Sequence, residues 1–171
     1  MDSKIKAIEI ALKNERRERD FYLQQSEKSG DPLGKKMFAT MADEEEEHAR
    51  YLEELHQKLQ ATGEWPGEIS VVINETNVPK VLDELTDKVN PGNTATADDK
   101  EAIRIAIDFE NEAYKFYTDL IKRADSADEK KLFGILASLE LEHMNSLKDT
   151  LLYFENPTAW FAQSEKPTLD G

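Results

Sequence analysis

Shifted by 95 residues, the chain matches itself without a gap: fifteen positions between Ser3 and Leu55 recur unchanged 95 residues later. They include Ala7/Ala102, Ile8/Ile103, Ala11/Ala106, Glu15/Glu110, Phe21/Phe116, Tyr22/Tyr117, Phe38/Phe133, Ala42/Ala137, Glu45/Glu140, His48/His143 and Leu52/Leu147. A pattern used twice must fold twice, and two like units pack most simply around a pseudo-twofold axis. Within the first copy, Phe38, Met41, Glu45, His48, Leu52, Leu55 and Leu59 recur at spacings of three and four, the buried stripe of an amphipathic helix. The second copy repeats the stripe as Phe133, Leu136, Glu140, His143 and Leu147. In each, a carboxylate and an imidazole interrupt the apolar face one turn apart. An unpaired charge removed from water costs several kcal/mol or more, so each Glu-x-x-His pair needs a buried partner. A metal cation is the natural one. A lone Glu-x-x-His is weak in a Glu-rich chain; two in register, each preceded by a striped helix with its own Glu, are a strong signal.

The 171 residues suffice for one domain with a sizeable core. No apolar run is long enough to span a bilayer. The opening Met-Asp-Ser-Lys-Ile-Lys-Ala-Ile-Glu-Ile is amphipathic and acidic, unlike a signal peptide, so the expected address is the cytoplasm. The absence of cysteine excludes disulfides, thiolate catalysis and Cys-ligated zinc or iron within the chain. A net charge of −14 argues against nucleic acid and anionic membrane as partners.

The periodicity predicts a first helix from Ser3 to about Ser29, with Ile5, Ile8, Leu12, Glu15, Arg19 or Glu18, and Tyr22 facing inward. Gly30-Asp-Pro32 reads as a stop and restart. A second helix is expected from about Pro32 to Ala61, ended by Thr62-Gly63. Residues 62–97 form a long connection holding one short amphipathic helix (Val81, Leu82, Leu85, Val89) bounded by Pro79 and Pro91-Gly92. Such length is unusual between packed elements, but it is required if the helices on either side run parallel. Thr96-x-x-Asp99 caps a third long helix at about 98–124. A fourth follows at about 127–154. Asn156-Pro157 then opens a short turn bearing Trp160 and Phe161. The fold class is all-α: two helical hairpins joined by one long crossover, the ferritin-like four-helix bundle. Residues 1–155 are expected to form the bundle and 156–171 a tail packing on it or on a partner subunit.

Each hairpin then contributes three interior polar residues: Glu15, Glu45 and His48; Glu110, Glu140 and His143. Four carboxylates and two divalent cations balance in charge. This set matches the known di-iron and di-manganese carboxylate sites of ferritin-like bundles. Carboxylate and imidazole ligation with open positions suits iron or manganese, and zinc can substitute. Tyr22 and Tyr117 lie two turns from Glu15 and Glu110 on the same faces, where they can either hydrogen-bond ligand carboxylates or serve as core aromatics. Glu44, Glu46 and Glu47 read as a solvated face and His56 as a surface residue. Trp160 and Phe161 read as packing residues, on the bundle or a partner subunit.

From Glu15 to Tyr22, Glu45-x-x-His48, Glu110 to Tyr117 and Glu140-x-x-His143, the chain resembles the rubrerythrin branch of ferritin-like proteins, across about residues 3–154. The end, Trp160-Phe161 through Gly171, resembles the tail of a stand-alone subfamily. The resemblance implies a pair of iron ions held by the six residues above, with Glu15, Glu45, Glu110 and Glu140 as the catalytic carboxylates. It implies reduction of hydrogen peroxide, or reaction with dioxygen, and a homodimer. Two departures stand out. Rubrerythrins proper carry a Cys-ligated rubredoxin iron; lacking cysteine, this chain is expected to draw electrons from an external, rubredoxin-like donor. They also carry an extra Glu three residues after the third-helix ligand, where this chain has Ala113. The repeat mate of Ala113 is Glu18, about 60° round the helix from Glu15. Glu18 is therefore either an extra, redox-shifting ligand or a solvated residue paired with a nearby Arg. The competing functions are a ferritin-type ferroxidase or storage protein, and a non-catalytic helical interaction module.

Overall fold

The computed structural model describes residues 3–65, 76–86 and 95–164. Among these are six α-helices and no strand. Helix α1 spans Ser3–Lys28 and buries Ile8, Ala11, Glu15, Glu18, Tyr22 and Ser26 on one stripe. It is Glu18, not Arg19, that completes the inner face. The Arg19 guanidinium turns outward and holds Asp20 and Glu46 at 2.8 and 2.5 Å.

Helix α2 spans Pro32–Thr62. Its first free N–H groups, those of Leu33 and Gly34, donate to the Asp31 carboxylate, the usual role of an N-cap. All seven residues of the expected stripe are buried. The helix ends at Gly63, whose φ of 71° lets its N–H return to the Leu59 carbonyl. Helix α3, Val78–Thr86, begins one residue before Pro79 rather than after it, because proline fits the first turn of a helix. Val78, Val81 and Leu82 turn inward. Val89, Pro91 and Gly92 lie outside the described residues, as do Pro66-Gly67 and the segment from Glu165 to Gly171.

Helices α4 (Ala97–Arg123) and α5 (Ala127–Glu155) both start on capping boxes, Thr96/Asp99 and Ser126/Glu129. Asp99 also accepts from Ser29 Oγ and the Gly30 N–H, tying the α1–α2 turn to the start of α4. Helix α6, Pro157–Ser164, is longer than a single turn. It seats Trp160 edge-on against Tyr153, ring centroids 5.4 Å apart.

The topology follows from which residues meet. Helix α1 packs along α2 and α4 along α5. Pairing of Glu9 with His56 and of Ser26 with Lys35 makes α1 and α2 antiparallel. Residue 15 lies opposite 117 and residue 22 opposite 110, so α1 and α4 are antiparallel too. Helices α2 and α4 therefore run parallel, and the chain between them must travel back along the bundle, as its length predicts. Part of that return is α3, which lies against α2 and α5. Two apolar clusters fill the interior. One gathers Tyr22, Phe38, Met41, Ile103, Leu147 and Phe154; the other gathers Ile8, Leu52, Leu55, Tyr117, Phe133 and Leu136. Along α1, α2, α4 and α5, buried Glu15, Glu45, His48, Glu110, Glu140 and His143 fall in the chain between members of the two clusters.

Candidate metal centre

All six residues singled out by the repeat are buried, none more than 4% exposed. They converge. His48 Nδ1 lies 3.1 Å from Glu15 Oε2 and 3.0 Å from Glu45 Oε2. His143 Nδ1 lies 2.9 Å from Glu45 Oε1 and 3.6 Å from Glu110 Oε1. The two imidazoles face one another, centroids 5.8 Å apart and planes 21° from parallel. Glu45 thus reaches both histidines and spans the two halves. Three overlapping sets of donor atoms each fall within 4.8 Å: Glu45, Glu110, Glu140 and His143; Glu15, Glu45 and His48; and Glu15, Glu18 and Glu140.

The tyrosines bind across the repeat, not within it. Tyr22 donates its hydroxyl to Glu110 Oε1, and Tyr117 donates to Glu15 Oε1. Burial, followed by the charge of the carboxylate each faces, pushes both phenols well above their ordinary range, so both remain donors.

The electrostatics are those of a crowded anionic cavity. Burial raises Glu15 to about 7, against the lowering effect of its hydrogen bond with His48. Burial and neighbouring carboxylates raise Glu18 and Glu140 well above the usual range. Burial also pushes Glu45 up, but the charges of His48 and His143 outweigh it and hold Glu45 below the usual range. For His48, burial favours the neutral ring, yet Glu45 and Glu15 overcome it and raise the imidazole to about 10. His143 is raised well above its ordinary value in the same way, chiefly by Glu45. Raised carboxylates and raised imidazoles together mark a surplus of buried negative charge.

Several polar atoms of the cluster are left unsatisfied. Glu45 Oε1, Glu110 Oε2, both oxygens of Glu140, Glu18 Oε2 and His143 Nδ1 are buried without a hydrogen-bond partner. His143 Nδ1 comes close to Glu45 Oε1, but off the line that a hydrogen bond requires. Buried polar atoms are nearly always paired, so a group of orphans aimed at one space points to a missing partner. Every orphan in this group is an oxygen or an imidazole nitrogen, the donors that iron, manganese and zinc accept. The residues present fit a pair of divalent cations.

One side chain decides between two readings that the sequence left open, and another departs from the sequence expectation. Glu18 is not a solvated residue paired with an Arg; it is 1% exposed, and Asn14 Nδ2 donates to it at 2.9 Å. Glu44 is not on a solvated face. Its Oε2 lies 2.9 Å from His143 Nε2 and accepts from Thr76 Oγ1 at 2.8 Å, while its Oε1 accepts from the Asn77 N–H at 2.6 Å. Burial would raise Glu44, but the hydrogen bond and charge of His143 prevail and hold it below its ordinary value. Glu46 and Glu47 are exposed, as expected. His56 is half-buried and meets Glu9 at 3.3 Å.

The family model for rubrerythrin matches residues 6–151. No curated protein and no solved structure matches the chain.

Proposed function

The chain belongs to the rubrerythrin family, and from that premise we propose that it is a di-iron oxidoreductase that reduces hydrogen peroxide to water with electrons from a separate donor protein. One observation carries the reading. A set of buried carboxylate and imidazole atoms, unpartnered and convergent, sits between two apolar clusters. Glu15, Glu45, His48, Glu110, Glu140 and His143 are the residues that would hold the iron pair. When bound, the iron pair supplies the two electrons that cleave the O–O bond.

The protein's own part is to orient, to exclude water and to hold protons. Tyr22 occupies one oxygen of Glu110 and Tyr117 one oxygen of Glu15, which fixes each carboxylate's rotation. Reduction of one peroxide to two waters consumes two protons. Glu18 is the residue we assign to holding one of them, at Oε2, which is buried and unpartnered beside Glu15 and Glu140. As the extra carboxylate at that edge it is also the candidate seventh ligand. The 171 residues contain no cysteine and so no thiolate-ligated iron, which supports an external electron donor. Among the described residues no helix is long and apolar enough to cross a membrane. A homodimer in the cytoplasm is the assembly and setting we assign.

The test is stopped-flow mixing of the anaerobic di-ferrous protein with peroxide or with dioxygen. Oxidation much faster with peroxide is expected. Faster oxidation by dioxygen would instead favour a ferroxidase, and a hollow multi-subunit shell by light scattering would favour storage.

A further inference from the structure

The two halves of the site are not equivalent. His143 presents Nδ1 to the interior and Nε2 to Glu44 at 2.9 Å. The repeat mate of Glu44 is Leu139, an apolar core residue. Among the described residues no carboxylate reaches His48 Nε2. Glu44 is itself held from outside the four-helix frame: Thr76 Oγ1 and the Asn77 N–H, at the entry to α3, both donate to it. The Thr76 N–H also faces Glu142 Oε2 at 3.4 Å, one residue before His143.

An imidazole whose far N–H donates to a carboxylate has its tautomer and ring orientation fixed, and its free nitrogen becomes a stronger ligand. We propose that Glu44 is a positioning residue for His143, that it gives one cation position an oriented imidazole the other lacks, and that the crossover at Thr76–Asn77 holds it in place. The asymmetry lies outside the residues that touch the cations. It rests on the reading that the cluster binds two cations.

The experiment is anaerobic titration of the metal-free protein with Co2+, followed by its visible absorption. Wild type is expected to take up two equivalents. Glu44→Gln keeps the side chain's length but lacks the negative charge, and its single carbonyl oxygen replaces only one of the two oxygens that accept from Thr76 and Asn77. It is expected to weaken one equivalent by about 10- to 100-fold and leave the other unchanged. Thr76→Val, remote from the cations, should weaken the same equivalent by a smaller factor. A second readout is the shifted, exchangeable imidazole N–H resonance of His143 in the Co2+-loaded protein. It should be protected from exchange in wild type and exposed in Glu44→Gln. Superimposable titrations of wild type and Glu44→Gln, or equal weakening of both equivalents, would overturn the proposal while leaving the two-cation reading intact. Uptake of fewer than two Co2+ by wild type would bring down that reading and this proposal together.

Discussion

The hydroxyl of Tyr22, in the first repeat, donates to the carboxylate of Glu110, in the second, and Tyr117 returns the same bond to Glu15. These reciprocal bonds pin α1 against α4 at two levels seven residues apart. Removing one donor leaves a buried carboxylate oxygen without a partner, which costs about 1–3 kcal/mol. Tyr22→Phe and Tyr117→Phe should each lower the stability of the metal-free protein by that amount in urea unfolding. The loss should be smaller in the loaded protein, where the carboxylate has a cation to bind.

The metal-free protein should lose stability as pH rises from about 5 to 10. Glu15 is raised on folding from 4.5 to about 7, so its contribution is full below 4.5 and is lost through 7. His48 is raised from 6.5 to about 10, so its contribution is full below 6.5 and is lost through 10. Glu45, lowered on folding, acts in the other direction and withdraws its contribution as pH falls below the ordinary carboxylate range. Thermal melts of the chelator-treated protein should therefore peak near pH 5. Metal-loaded protein should show the opposite slope on the acid side, because protons compete with cations for the same atoms.

Glu140 has two buried oxygens and no hydrogen-bond partner for either. An unsatisfied buried polar group costs about 1–3 kcal/mol, a cost that an apolar residue of similar volume removes. Glu140→Met should therefore leave the melting temperature of the metal-free protein unchanged or raise it, while reducing the cations bound at saturation. A lower melting temperature with unchanged cation binding would indicate that Glu140 pairs with a protein group and not with a metal.

Gly63 provides a contrasting case remote from the site. A Cβ added there would meet nothing within 4 Å, so the cost of Gly63→Ala is that of the left-handed backbone alone, about 1 kcal/mol. Unfolding should shift by that much and Co2+ titration should not change.

The six central residues were legible because each appears twice at the same offset, on a helix stripe that allows few other interior positions. Glu18 was half legible. It lies at the right turn of the same stripe, but the adjacent Arg19 competed for the position, and only packing shows that Arg19 reaches Glu46 instead. Glu44 was hidden for the opposite reason. It sits among acidic neighbours of which Glu46 and Glu47 are exposed, and its repeat mate is a leucine, so the repeat is silent there. The usable signal was the crossover: a chain returning along α2 and α5 must cover one flank of α2, and Glu44 is on that flank. The partners of the tyrosines were out of reach for a related reason. Helical spacing places Tyr22 on the face of Glu15, but only the antiparallel crossing of α1 and α4 directs it to Glu110.

The crossover that joins the two hairpins has one more effect. Were the hairpins separate, identical molecules, any substitution in one would appear in its twin, and Glu44 could not face a histidine on one side while a leucine stood on the other. Covalent linkage lets each half mutate independently, so a cavity with two like ends can acquire two unlike ones.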